Sequence, residues 1–246
     1  MQAVLSLSVM VINNRVSRRQ PMIEYQFEFD DGLKLRYSID PDRAASTRPV
    51  QEGPAWARLD YHQCQHCPLA VQEWPYCPAA LDLQELAKDF QNLPANRKAQ
   101  VTVITPEREY TKRVMLEEGV RALMGLIMAT SACPHFAELR ANARHHLPFA
   151  TQEEFIIRSI SSYLLTQYFI LREGGEPDWE LKGLVRINEQ LQKVNHAFWQ
   201  RLVTQFQNDS NSKALLNFFS LSSSLTATLE AQVAKIRPQF YKHPGD

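Results

Sequence analysis

Four cysteines stand in the chain, three of them close together as Cys64-x2-Cys67-x9-Cys77 and one far downstream, Cys133. Cys67, Cys77 and Cys133 are each followed directly by proline. Four thiols around a C-x2-C nucleus are the donor set of one tetrahedral zinc or one iron–sulfur cluster. Cys77-Pro78 and Cys133-Pro134 also read as helix starts, because proline suits the first helical position, where its missing N–H would be unpaired anyway. A helix N-terminus presents free N–H groups and partial positive charge, which favour a thiolate. Four thiolates on a divalent zinc leave about two negative charges, and two such helix ends would offset them. Cys133 follows Cys77 by 56 positions in the sequence. A shared metal would therefore close a long loop and remove more unfolded-state entropy than a local clip.

These residue types also have plainer readings. A C-x2-C pair arises by chance, and a buried cysteine often serves as a small apolar side chain. The four residues are assigned as metal ligands, Cys64, Cys67, Cys77 and Cys133, with zinc ahead of an iron–sulfur cluster. A thiol redox pair at Cys64/Cys67 is the remaining reading. Bacterial ferredoxin runs also end in Cys-Pro, but the ferredoxin spacing is missing, and so is the glycine common after zinc-ribbon cysteines. His62, His66 and His135 are candidates to replace a cysteine or to support the ligands, against the default of exposed polar residues.

Other groups carry less. Arg144-His145-His146 is a polar cluster at a predicted helix end, where a basic turn ordinarily complements the dipole. Arg108, Glu109 and Tyr110 read as a strand-edge group. Tyr163, Tyr168, Phe169, Trp179, Phe198 and Trp199 recur at helical spacing and are assigned to the core. Gly119 and Gly125 cost helicity and imply a close neighbour, assigned to another helix. The sequence contains no Gly-rich phosphate loop, no G-x-S-x-G elbow and no H-E-x-x-H helix, so no catalytic residue is assigned and the reading leans away from an enzyme.

The elements that must position the cysteines follow from periodicity. Ile23, Tyr25, Phe27 and Phe29 alternate with Glu24, Gln26 and Glu28; after Asp30-Asp31-Gly32, Leu33, Leu35 and Tyr37 alternate likewise. This predicts a hairpin buried on one face. Residues 40–54 read as a loop and 60–78 as an irregular knuckle, followed by a helix over 78–91. Strands are expected at 101–104 and 109–115, which completes a small, mostly antiparallel sheet. From Leu116 the period becomes helical. Helices are expected at 116–131, 134–146, 152–172, 179–207 and 212–236, with a capping box at Thr151–Glu154 and Asp178 as an N-cap. Strands first and helices later make an α+β protein, with a β-rich part at 22–115 and a helical bundle at 116–240 forming one compact unit. Residues 1–21 are set aside as an extension, either a poorly ordered arm or the product of a start upstream of Met22.

Lys+Arg and Asp+Glu balance at 27 each, which removes the electrostatic reason to expect nucleic acid as a partner. The longest apolar stretch, Val120 to Ala132, is too short to span a bilayer. The apolar start, Met1 to Ile12, lacks a leading positive segment and a small-residue cleavage site, so no secretory signal is expected. A cytoplasmic location follows, where C-x2-C is more often a ligand set than a disulfide.

The segments Cys64-Gln-His-Cys67-Pro-Leu69, Tyr76-Cys77-Pro78, Gly125 to Pro134 and His146-Leu-Pro-Phe149 resemble an uncharacterised, mainly proteobacterial family, a domain of unknown function. The likeness runs from about Ile23 to Gln205, and Ala132 stands where that family commonly has glycine. The resemblance implies a free-standing cytoplasmic protein defined by its cysteines, and it implies no activity. Two functions are carried forward: a zinc-stabilised regulatory or interaction protein with an unidentified protein partner, and an iron–sulfur or thiol-based redox or sensor protein.

Overall fold

A computed structural model describes residues 22–43, 50–90, 92–94, 96–205 and 229–241. The expected extension at 1–21 and most of the expected helix at 212–236 lie outside them. The protein is α+β. Strands β1 (Ile23–Phe29), β2 (Lys34–Ile39), β3 (Lys98–Ile104) and β4 (Glu109–Met115) form one antiparallel sheet in the order β2-β1-β3-β4. The β1–β2 turn uses Gly32 at φ +86°, a left-handed conformation that favours glycine, and Glu28 faces Lys34 across the pair. On β1 the alternation holds at every position, with Ile23, Tyr25, Phe27 and Phe29 all buried. On β2 only Tyr37 is buried, and Leu33 is exposed in the turn.

Two short helices, α1 (Pro78–Asp82) and α2 (Gln84–Phe90), replace the single helix expected over 78–91. The chain unwinds at Leu83 (ψ −1°), which lets α1 bury Ala79 and Ala80 while α2 buries Leu86, Ala87 and Phe90. Phe90 then meets the Phe27 ring edge-on at 5.2 Å.

Helix α3 (Leu116–Ala129) leaves β4 without a loop and packs on the sheet. Its Gly119 explains the close approach, and the neighbour is the sheet rather than another helix. A Cβ there would lie 2.8 Å from Phe27 Cε1 and 3.0 Å from Val101 Cγ2. The single helix expected at 134–146 is a 3-10 segment (Pro134–Leu139) followed by α4 (Arg140–Arg144). Buried Phe136 anchors the tighter turn, its N–H bonded to the Cys133 carbonyl at 3.1 Å.

Helix α5 (Gln152–Arg172) has the expected bounds and a complete capping box between Thr151 and Glu154. Helix α6 (Lys182–Gln205) begins later than expected. Leu181 takes φ +61°, and Asp178 reaches across the turn to accept from the Gly183 N–H at 2.6 Å and the Tyr163 hydroxyl at 2.8 Å. Helix α7 (Leu229–Phe240) sets Ile236 against Ile156, Ile160 and Leu184. One core joins the inner face of the sheet to α3, the knuckle and α6. The aromatic assignment holds for Phe198, which is fully buried, but Tyr168, Phe169 and Trp179 are exposed. Among the described residues no single helix is long and apolar enough to cross a membrane.

Candidate functional site

The cysteine knuckle is a loop pinned at its base. Residues 57–59 run antiparallel to 75–77, through a bridge between Arg58 and Tyr76 and bonds from Leu59 N–H to Pro75 O and from Cys77 N–H to Ala57 O, both 2.8 Å. Inside the loop the Cys67 N–H closes a turn onto the Cys64 carbonyl at 3.0 Å, and the Gln63 amide donates to the Leu69 carbonyl. That ladder delivers Cys77 to the N-cap of α1, with Pro78 at the first helical position. Cys133 is the corresponding cap of the 3-10 segment, again with proline first.

The turn bearing Cys133 is held from both sides. Its own N–H bonds to the buried Ser131 hydroxyl, and Arg43 Nε donates to the Thr130 carbonyl at 2.6 Å. His135 bridges to the knuckle, with Nε2 3.1 Å from the His66 carbonyl and its ring 4.4 Å from that of His66.

All four cysteines are free; Cys64, Cys77 and Cys133 are buried and Cys67 is half-buried. The fold brings them into one neighbourhood, close enough for neighbouring thiols to bear on the ionisation of Cys64, Cys77 and Cys133. Burial pushes the Cys64 thiol up to about 12, with Cys77 and Cys67 adding to the rise. Burial likewise pushes Cys133 up to about 12, with contributions from Cys77, Cys64 and Cys67, while the His135 N–H opposes it. Cys77 is raised chiefly by burial and pulled back by Arg201 and by the N–H groups of Ala80 and Ala79. Neither helix end closes a side-chain capping bond on its cysteine. Convergence stops short of a closed shell: among the described residues no set of three or more His, Cys, Asp or Glu side chains is arranged to hold a metal ion.

Sequence reasoning missed Arg201. On α6 it is 1% exposed, a burial that charged residues rarely reach without partners. Nη1 donates to the carbonyls of Trp56 (3.1 Å) and Arg58 (2.5 Å), and Nη2 to that of Leu59 (3.0 Å). Its charge lowers both Cys64 and Cys77. The only sequence signal was an arginine three residues after buried Phe198, on the turn that continues the same apolar face.

The histidines separate. His62 is exposed at φ +47°, its ring against Tyr61. His66 packs against the His135 ring with both ring nitrogens buried, and burial, then His135 and Lys193, lower its pKa. The cluster Arg144-His145-His146 splits as well. Arg144 pairs with Asp42 and His145 is exposed, while His146 turns inward to Tyr25, whose hydroxyl lies 2.5 Å from Nε2. Arg108 closes the β3–β4 turn through two bonds with the Thr105 hydroxyl and one from the Thr105 N–H.

No curated protein and no solved structure matches the chain. Residues 23–241, from the first strand through the last described helix, match the domain of unknown function DUF6901, and the chain belongs to that family.

Proposed function

We propose that Cys64, Cys67, Cys77 and Cys133 together hold one structural zinc, in a cytoplasmic regulatory or interaction protein whose helical half meets a protein partner. The observation that carries this reading is the convergence of four thiols from three separate segments, two of them at helix-initiating Cys-Pro steps. An all-sulfur donor set suits zinc, and a buried guanidinium beside it offsets the negative charge of a tetrathiolate. Arg201 supplies that charge, already fixed by three carbonyls. Bound there, zinc would join the knuckle and α1 to the turn after α3.

The test is metal content by mass spectrometry, with a visible absorption spectrum, on full-length protein purified without oxygen. One colourless zinc per chain supports the proposal. Iron with acid-labile sulfide and visible absorption that bleaches on reduction replaces it with the redox or sensor reading. Protein that takes up neither metal, even when refolded with zinc, overturns the zinc proposal and the iron–sulfur reading and leaves a thiol redox pair or plain core cysteines.

A further inference from the structure

A cavity of about 360 Å³, open to solvent, is lined by residues of α3, α4, α5 and α6 and of the 3-10 segment before α4. This falls in the range of about 300–1,000 Å³ typical of small-molecule sites. Its wall is mainly hydrocarbon and aromatic, with Leu126, Phe136, Phe155 and Leu191 among the lining side chains. No cysteine lines it, so it is separate from the thiol cluster.

Two polar groups in this wall lack what their burial demands. Asn195, on α6, is 2% exposed, and both its Oδ1 and its Nδ2 are without a hydrogen-bond partner. An unsatisfied buried amide costs about 1–3 kcal/mol per group. Arg158, on α5, has a buried Nε without a partner, and its Nη1 reaches only the His145 carbonyl at 3.5 Å. Among the described residues no carboxylate pairs with it, and burial disfavours its charged form.

The charges decide the ligand class. The charged lining residues are Arg121, Arg158 and Glu138, which leave one net positive charge. His146 adds none, because burial holds its pKa down to about 3. One net positive charge matches a monoanion, and the planar fork of a guanidinium matches the two oxygens of a carboxylate. A phosphate dianion would need a second unopposed cation. We propose that this cavity binds a small amphipathic monocarboxylate, with Arg158 taking the carboxylate, Asn195 a hydrogen bond, and the apolar wall the hydrocarbon part.

The test is calorimetric titration of the full-length protein with octanoate, 1-octanol and octylammonium. Octanoate is expected to saturate at one per chain and to bind at least about tenfold more tightly than 1-octanol, with octylammonium weakest. Arg158→Met should bring octanoate down to the affinity of 1-octanol, and Arg158→Lys should restore part of the preference. Asn195→Asp, which adds a like charge to the wall, should weaken octanoate by at least about tenfold while sparing octylammonium. The wild-type comparison stands whether or not a variant folds. Equal binding of octanoate and 1-octanol, no saturable octanoate binding, or an unchanged preference in folded Arg158→Met would each overturn the proposal.

Discussion

Arg201 and Leu59 are 142 positions apart in the chain, and the Arg201 Nη2 donates to the Leu59 carbonyl at 3.0 Å. With the further bonds to Trp56 and Arg58, one guanidinium caps the strand-like segment whose other edge receives Cys77. Arg201→Met keeps much of the stem but strands three carbonyls in the core. A loss of about 3 kcal/mol or more is expected, read from denaturant unfolding. Arg201→Lys should recover little, since an ammonium cannot span that fan of acceptors. A variant as stable as wild type would show that water or backbone movement satisfies these carbonyls.

Cys133→Ser tests whether the four thiols act together. If they share a metal, the substitution lowers metal content and melting temperature at once, and the melting temperature of the chelated wild type approaches that of the variant. Unchanged metal content and melting would separate Cys133 from the other three.

Gly119 predicts a cost against helix propensity. Alanine should stabilise an exposed helix position by about 1 kcal/mol relative to glycine. Here the added methyl would lie 2.8 Å from the Phe27 ring and 3.0 Å from Val101, both on the sheet. Overpacking of this kind costs about 1–3 kcal/mol, so Gly119→Ala should be net destabilising. A rise in melting temperature would mean that the Phe27 ring gives way.

His146 predicts an acid-sensitive fold. Burial holds its pKa down to about 3, against 6.5 for an unperturbed histidine. The unfolded chain therefore takes up a proton that the folded chain refuses. Stability from this group is complete above about 6.5 and is lost as pH falls toward about 3, at up to about 1.4 kcal/mol per pH unit. Between pH 7.5 and pH 5 the wild type should lose about 2 kcal/mol through His146 alone. His146→Phe should flatten that part of the profile, and parallel profiles for the two proteins would remove His146 as the cause.

Much of the frame was legible because single-segment periodicity decided it. The alternation of β1 matches its burial residue by residue, and the Thr151–Glu154 capping box marks the start of α5. The Cys-Pro steps marked two helix starts. What escaped depends on partners distant in sequence. Arg201 occupies a position where a charged side chain reads as solvated, and only the three carbonyls of 56–59 make its burial tolerable. Gly119 announced a close contact, but nothing local said that Phe27 and Val101 would supply it. Leu83 carries no breaker, so packing on its two sides, not propensity, divides α1 from α2. Asn195 and Arg158 lie on different helices, and no spacing rule links them across a shared cavity.

The strand order has a consequence for biosynthesis. β1 and β2 complete their hairpin at Ile39, but the other neighbour of β1 is β3, which begins at Lys98. During translation the hairpin emerges first, with one edge of β1 unpaired, Phe27 lacking its cover from α2 and α3, and Tyr25 lacking its partner His146. An open edge beside aromatic side chains is a template for pairing with other chains. The nascent protein is therefore most prone to association between the appearance of β2 and that of β3, the interval in which the cysteine knuckle leaves the ribosome.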